Sequence, residues 1–492
     1  MERIGRLGRE TILRKRRGRQ EGFWVMTVSY DDVRRWDAKA LDASATDLHQ
    51  RKDKIIGLQD ELDNARKLPA WHGTAGANAR NSLGTTRNNA EILVAELAAV
   101  ERALHNAADD VHALRNRVAN NDSLAETYQF RIAADGSIVD TKPPDPPPRS
   151  RFEAEDRAET ERHRETIRQR LVQETKAILT TANNIDATLA RVMQLAQDRK
   201  ISDRGATTLA DASKGGDIEA RVVDMEQALR DAGLLTGPPV SGYYRQWLEN
   251  AVRRGVSIET IKKIIAEHHI TPEDFKILER LEEIREDEDG DGIYKSYFLL
   301  PTDISGEDAA KAVRMTYLLN AGTDYGTEGE KTDFKPTPYG SDELRRIAER
   351  QQANSWSYDQ DVGFVHRNGG RLVTTPNGMM MGLGGNLIQD QFSQRGGTTW
   401  GDTFMLNIDD PDDAAQQLRQ VVRSGHAWYE GDNGPYQGAL DADRLLHHEE
   451  RHSQQWAREG YTGFIASYLW EQVTGSNETE KDAGLADGGY DK

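Results

Sequence analysis

Apolar residues recur at helical spacing over most of the first half of the chain, and in short runs only from about Gly363 onward. Val33, Trp36, Leu41, Leu48, Ile55, Leu58 and Leu62 form a broken stripe that predicts a helix from Ser29 to about Lys67. Ser29 stands at the cap, with Asp31 and Asp32 in the first turn, where acids suit the exposed N–H groups and the dipole. Pro69-Ala-Trp71-His-Gly73 interrupts the pattern. Leu83, Ile92, Leu97, Leu104, Val111 and Val118 resume it from about Thr74 to Asn120, so two long helices joined by a short turn should make an antiparallel hairpin.

Pro143-Pro-Asp-Pro-Pro-Pro148 is a stiff spacer and predicts a domain boundary. Beyond it, Ile167, Leu171, Ile178, Ile185, Leu189 and Met193 predict one long charged helix over Glu153–Asp198, and a shorter one spans Ile218 to Leu235. Gly237-Pro-Pro-Val-Ser-Gly242 marks the next boundary. Three short helices should start at Tyr243, Ile258 and Pro272, and a further one should cover Gly306 to Asn320. Asp287, Asp289 and Asp291 with Gly292 imitate the start of a calcium loop. Phe298 stands where the closing acid is needed, so the stretch reads as a solvated acidic turn.

After an irregular, Gly-rich region, short strands are expected at Gly363–His366, Arg371–Thr375, Gly384–Ile388 and Asp402–Ile408, with Thr403–Ile408 as the exposed edge able to pair with an extended peptide. Met379, Met380 and Met381 read as core or pocket lining, and His366 and His426 as structural histidines. The expected organisation is a basic, disordered extension (1–25), a helical hairpin (26–142), a Pro-rich linker (143–150), a helical stalk (151–236), a helical intermediate region (243–330) and a metal domain (331–492).

The chain has 492 residues, enough for roughly three domains. Hydrophobic content of 37% against 30% charged residues fits long solvated helices better than one large globule. A net charge of −18 argues against nucleic-acid binding, which needs an excess of Lys and Arg. No apolar run is long enough to span a membrane. With no Cys, disulfides and thiolate-bound zinc are excluded. The first 25 residues carry eight basic residues from Arg3 to Arg19 against three acids, yet no apolar segment follows, so they are not an ordinary secretory signal. Met26 is the natural start; a basic targeting or anion-binding arm is the alternative reading.

The candidate chemistry lies near the C-terminus. His448-Glu449-Glu450-Arg451-His452 is an H-E-x-x-H motif, which chance would produce in roughly 2% of chains with this composition. On a helix, residues four apart share a face, so His448 and His452 can converge on one metal while Glu449 turns toward the attacking water. Asp441 or Asp443 can cap that helix, Gly460 ends it, and a second helix is expected from Thr462 to Val473. Catalytic zinc usually takes three protein ligands. The acidic segment Asn477–Ala483 supplies Glu480, with Glu478 and Asp482 as rivals. The bland alternative is a solvated His-Glu-Arg helix face.

Asp402 to Tyr490 resembles the small gluzincin-type metallopeptidases of bacterial polymorphic toxins and effectors. Their pattern, H-E-x-x-H-x-x-Q followed downstream by Asn-x-x-Glu-x-x-Ala, is met at His448, Glu449, His452, Gln455, Asn477, Glu480 and Ala483. The resemblance implies zinc held by His448, His452 and Glu480, with Glu449 as general base. Met26 to Asp140 resembles the WxG-type helical hairpins exported by actinobacterial type VII (ESX) secretion, on the Trp71-His72-Gly73 turn and the short Tyr128–Asp140 segment with its Asp135-Gly136 turn. The Tyr-x-x-x-Asp/Glu export element of that system is not evident after the second helix, which implies that a separate partner supplies it.

Together these readings predict an α+β multidomain protein, with elongated helical hairpins at the N-terminus and a small zincin-like α+β domain at the C-terminus. The expected function is a secreted zinc metallopeptidase, an effector or toxin exported without a classical signal peptide. Its substrate would be a peptide or protein. The secretion machinery or a small helical secretion partner, and an immunity protein, are the other candidate partners; no nucleic acid and no membrane span are expected. The alternative is a non-enzymatic interaction or assembly protein of the secretion system with a structural zincin-like domain. A nuclease or other toxin finds no recognisable motif.

Overall fold

Ser29 begins the first helix through a reciprocal cap, its hydroxyl accepting from the Asp32 amide and the Asp32 carboxylate accepting from the Ser29 amide, each at 3.2 Å. In the computed structural model the expected helix from Ser29 to Lys67 is three: α1 (Tyr30–Arg35), α2 (Ala38–Ile56) and α3 (Gln59–Arg66). The break has a local cause. Trp36 is extended, and Asp37 caps the new helix by accepting from the Lys39 amide at 3.1 Å. The structure describes residues 28–67, 73–201, 206–286, 294–322, 333, 338–384, 397–408, 413–474 and 478–489. The 1–25 extension, Trp71, His72, Asn477 and the acidic turn Asp287–Gly292 lie outside them.

Next come α4 (Gly73–Thr127), β1 (Phe130–Ile132), β2 (Ile138–Asp140), α5 (Arg151–Gln197) and α6 (Leu209–Asp231). The hairpin is antiparallel: Arg115 reaches the Trp36 carbonyl at 3.0 Å, His49 meets Glu101 at 2.8 Å, and Ile55 packs beside Val94. β1 and β2 pair around Asp135-Gly136, where Gly136 adopts φ +88° and the Asp135 carboxylate accepts from the Ser137 amide at 3.0 Å. Gly216 of α6 lies so close to α4 that a Cβ would stand 1.9 Å from the Ala95 carbonyl oxygen. Tyr30, Val111 and Leu114 share a core with Leu171 and Ile178 of α5. The segments 26–142 and 151–236 are therefore largely one body. The chain divides instead into Met1–Gln227 and Ala228–Lys492.

The second unit contains α7 (Gly242–Arg253), α8 (Ile258–His268), a 3₁₀ helix at Asp274–Arg280, β3 (Glu282–Glu286), β4 (Lys295–Leu299) and α9 (Gly306–Asn320). It continues with α10 (Ser341–Ala353), α11 (Val362–Arg367), β5 (Arg371–Thr374), β6 (Met380–Leu383), β7 (Gly397–Trp400) and β8 (Thr403–Leu406). Last come α12 (Ala414–Ser424), β9 (His426–Tyr429), β10 (Tyr436–Asp441), α13 (Ala442–Thr474) and α14 (Glu478–Ala483).

Six strands form one mixed sheet in the order β3-β4-β5-β6-β8-β7, parallel only between β6 and β8. This sheet corrects three expectations. It joins β3 and β4 to later strands, so 243–330 and 331–492 are not separate domains. The strand expected at Gly363–His366 is helical, because Val362 and Val365 are buried at a spacing that suits a helix. Thr403–Leu406, the expected edge, lies between β6 and β7, and its apolar Phe404 and Leu406 are buried accordingly. Among the described residues the edge beyond β8 is β7, whose Gly-Thr-Thr-Trp sequence is more exposed.

Met379 and Met381 lie in the core with Tyr297, Val373 and Phe404 of the sheet, Leu418 and Val422 of α12, and Leu445 and Leu446 of α13. Burial of those two leucines seats the first turn of α13 against the sheet, a contact that stabilises by roughly 1.5–3 kcal/mol per side chain.

Candidate metal centre

Asp441 is the cap of α13: its carboxylate accepts from the Asp443 amide at 2.6 Å. The buried Asp443 instead pairs with the Lys295 ammonium. Gly460 interrupts the helix at φ +71° and ψ 167°, and the chain turns helical again through Thr474 before reaching α14.

The fold brings His448, His452 and Glu480 together. Nε2 of His448 and Nε2 of His452 are 3.1 Å apart, and each lies 3.4 Å from Glu480 Oε2. Donor atoms about 2.0–2.1 Å from a tetrahedral zinc ion stand about 3.3 Å from one another, so this triangle fits such an ion. Glu480 Oε2 is buried and takes no well-formed hydrogen bond, which suits an oxygen that faces a cation. Among the described residues this is the one grouping of three or more His and acidic side chains close enough to hold a metal.

The outer nitrogens are fixed as metal-binding histidines require. His448 Nδ1 lies 3.1 Å from the Ala483 carbonyl and 2.9 Å from that of Gly484, so it donates there and leaves Nε2 as the ligand atom. His452 Nδ1 donates to Gln455 Oε1 at 2.9 Å. Gln455 in turn donates from Nε2 to the Thr479 carbonyl and to Asp482 Oδ2, both at 3.0 Å. Gln455 thus links a histidine to the segment that carries Glu480. Asp482 supports that link, while Glu478 is exposed and pairs with Lys481.

The pocket favours positive charge. Burial would raise the Glu480 carboxyl, but the two imidazoles hold it well below the usual carboxylate range. Burial would lower His452, yet the Glu480 carboxylate pushes it up to about 9. A cation among the three groups, proton or metal, satisfies both.

Glu449 is buried beside them, its Oε2 accepting from Thr399 Oγ1 of β7 at 2.7 Å. The Thr399 carbonyl accepts from Trp456 Nε1 at 3.0 Å, so α13 and the edge strand are pinned at two points. On the helix's other side, Arg350 donates to Glu450 at 2.9 Å and to Asp402 at 3.0 Å. Asp402 also accepts from Tyr358 at 2.9 Å and Asn354 at 3.1 Å. Below the first turn, Arg444 donates to Asp487 at 3.2 Å and to the Ala486 carbonyl at 2.9 Å, holding the segment after α14.

Thr399, Arg350, Asp402 and Asp487 carried no local signal; only buried polar character, invisible in the sequence, marks them. His366 and His426 lie outside the metal group. Burial, with Arg371 nearby, keeps His366 down at about 4, and His426 Nδ1 donates to the Ser424 carbonyl at 2.6 Å. No protein-family model, curated protein or solved structure matches this chain.

Proposed function

We propose that this chain is a zinc-dependent peptidase, with His448, His452 and Glu480 as metal ligands and Glu449 as general base. The observation that carries the reading is the triangle of two Nε2 atoms and one Oε2 at 3.1–3.4 Å, each outer nitrogen fixed, with a buried carboxylate on the next residue. Zinc bound there would polarise a scissile carbonyl and make water more acidic. Glu449, held at Oε2 by Thr399, has its other carboxylate oxygen to take the proton of the attacking water and pass it to the departing amine nitrogen. Among the described residues β7 is the strand beyond β8 and lies against the same helix, and an edge strand beside the metal ligands supports a peptide or protein substrate in a zincin-like domain.

The export reading rests on the first unit. Its antiparallel α2–α4 hairpin, followed by the β1–β2 turn, supports a module recognised by type VII secretion machinery or a small helical partner, and delivery outside the producing cell as an effector or toxin. An immunity protein would then protect the producer.

The test is metal analysis of the full chain together with peptide cleavage by wild type and Glu449→Gln. Gln keeps the size of Glu but accepts no proton near neutral pH. One zinc per chain is expected in both, with cleavage about 10²–10⁴-fold slower in the variant. Equal cleavage by both refutes this mechanism, and zinc in both with no cleavage of any peptide favours the non-enzymatic alternative.

A further inference from the structure

We infer that Thr399 is a positioning residue for Glu449, tying the general base to the edge strand; the inference rests on the peptidase reading above. Thr399 is buried although, among the described residues, it lies on the outermost strand beyond β8, and its hydroxyl and carbonyl are both engaged by one helix. Its hydroxyl donates to Glu449 Oε2 at 2.7 Å, and its carbonyl accepts from Trp456 Nε1 at 3.0 Å. Glu449 and Trp456 are two helical turns apart and so project from one face, gripping the same residue of β7.

Two consequences follow from the chemistry of a single hydroxyl. It has one proton to donate, and giving it to a carboxylate makes a charge-assisted bond stronger than one between neutral groups. A Glu side chain otherwise samples several rotamers, and fixing one oxygen leaves the second in a narrow range of positions. The strand thereby fixes the base, since the residue that orients Glu449 is itself held on β7 by Trp456. Thr398 cannot substitute, because neighbouring strand residues point to opposite faces.

Val has the shape of Thr without its donor, and Ser has the donor without the methyl group. The test compares zinc-loaded, full-length wild type, Thr399→Val and Thr399→Ser by zinc content, by calorimetric affinity for acetohydroxamate, and by kcat and KM on a peptide that the wild type cleaves. Acetohydroxamate is a probe of the site without turnover, since its acidic hydroxyl needs an acceptor beside the metal. Zinc content should be the same in all three. Thr399→Val should bind acetohydroxamate about tenfold more weakly and lose about tenfold in kcat with KM unchanged, and Thr399→Ser should restore both. A Val variant equal to wild type in acetohydroxamate affinity, or a Ser variant as impaired as Val, overturns the positioning role whether or not a peptide substrate is in hand. A wild-type chain that takes up no zinc overturns the peptidase reading itself, and this inference with it.

Discussion

Arg350 and Glu450 meet at 2.9 Å with side chains only 2% and 1% exposed, although 100 residues separate them in the chain. The same guanidinium binds Asp402 and the Gly378 carbonyl, so α10, the approach to β6, the β7–β8 turn and α13 share one buried charge. Arg350→Ala would leave the buried Glu450 and Asp402 carboxylates with fewer partners, an effect of about 3–5 kcal/mol. The expected outcome is a large fall in the denaturant midpoint and loss of zinc uptake. A variant within about 1 kcal/mol of wild type would show that Arg346 suffices for Glu450, and Tyr358 and Asn354 for Asp402.

Zinc affinity should separate the three acids of α14. His448→Ala, His452→Ala and Glu480→Ala each remove an inner donor and should abolish stoichiometric zinc, while Glu478→Ala should have no effect because that side chain lies exposed against Lys481. Gln455→Ala should weaken zinc by about 10- to 100-fold through loss of the His452 Nδ1 partner and the link to Thr479. Chelator competition measures all five. Full zinc in Glu480→Ala, with loss in Asp482→Ala, would move the third ligand.

The boundaries of the folded units can be checked by cleavage. A cut within 143–148 should leave two pieces associated, since α5 is packed into the core of the first hairpin. A fragment covering 300–492 should fail to fold. It lacks Ile284, Tyr297 and Leu299, which lie in the same core as Leu445 and Leu446 of α13. A soluble, zinc-binding 300–492 fragment would contradict this account of the core.

Asp361 supplies a pH dependence away from the candidate metal ligands. Burial pushes its carboxyl up to about 7, and Oδ2 has no hydrogen bond, so the folded chain prefers the protonated acid. For an acid raised in this way, the stabilisation is fully present below its ordinary value near about pH 4. It is lost as pH rises through about 7. Asp361→Asn removes the titration, so its stability relative to wild type should increase between pH 5 and pH 8, read by denaturant unfolding followed through tryptophan fluorescence. A difference that does not change with pH would show that the fold does not raise the Asp361 carboxyl into this range.

Local pattern alone determined most of the helices, the Ser29 cap, the Asp135-Gly136 turn, the Gly460 break and the pairing of His448 with His452, because periodicity, capping and i, i+4 spacing act within a few residues. The residues themselves left Glu478, Glu480 and Asp482 as rivals for the third place; only the resemblance to gluzincin-type metallopeptidases singled out Glu480. Local pattern did not reveal β3, whose Glu-Glu-Ile-Arg-Glu run has one apolar residue and becomes a strand only by pairing with β4. Nor did it show which strand is the edge, since that depends on the order in which strands assemble and not on any strand's own residues. Thr399, Arg350 and Asp402 acquired their roles only in the tertiary structure: their partners lie between 28 and 100 residues away, and a polar side chain becomes decisive there because folding removes the water that would otherwise satisfy it.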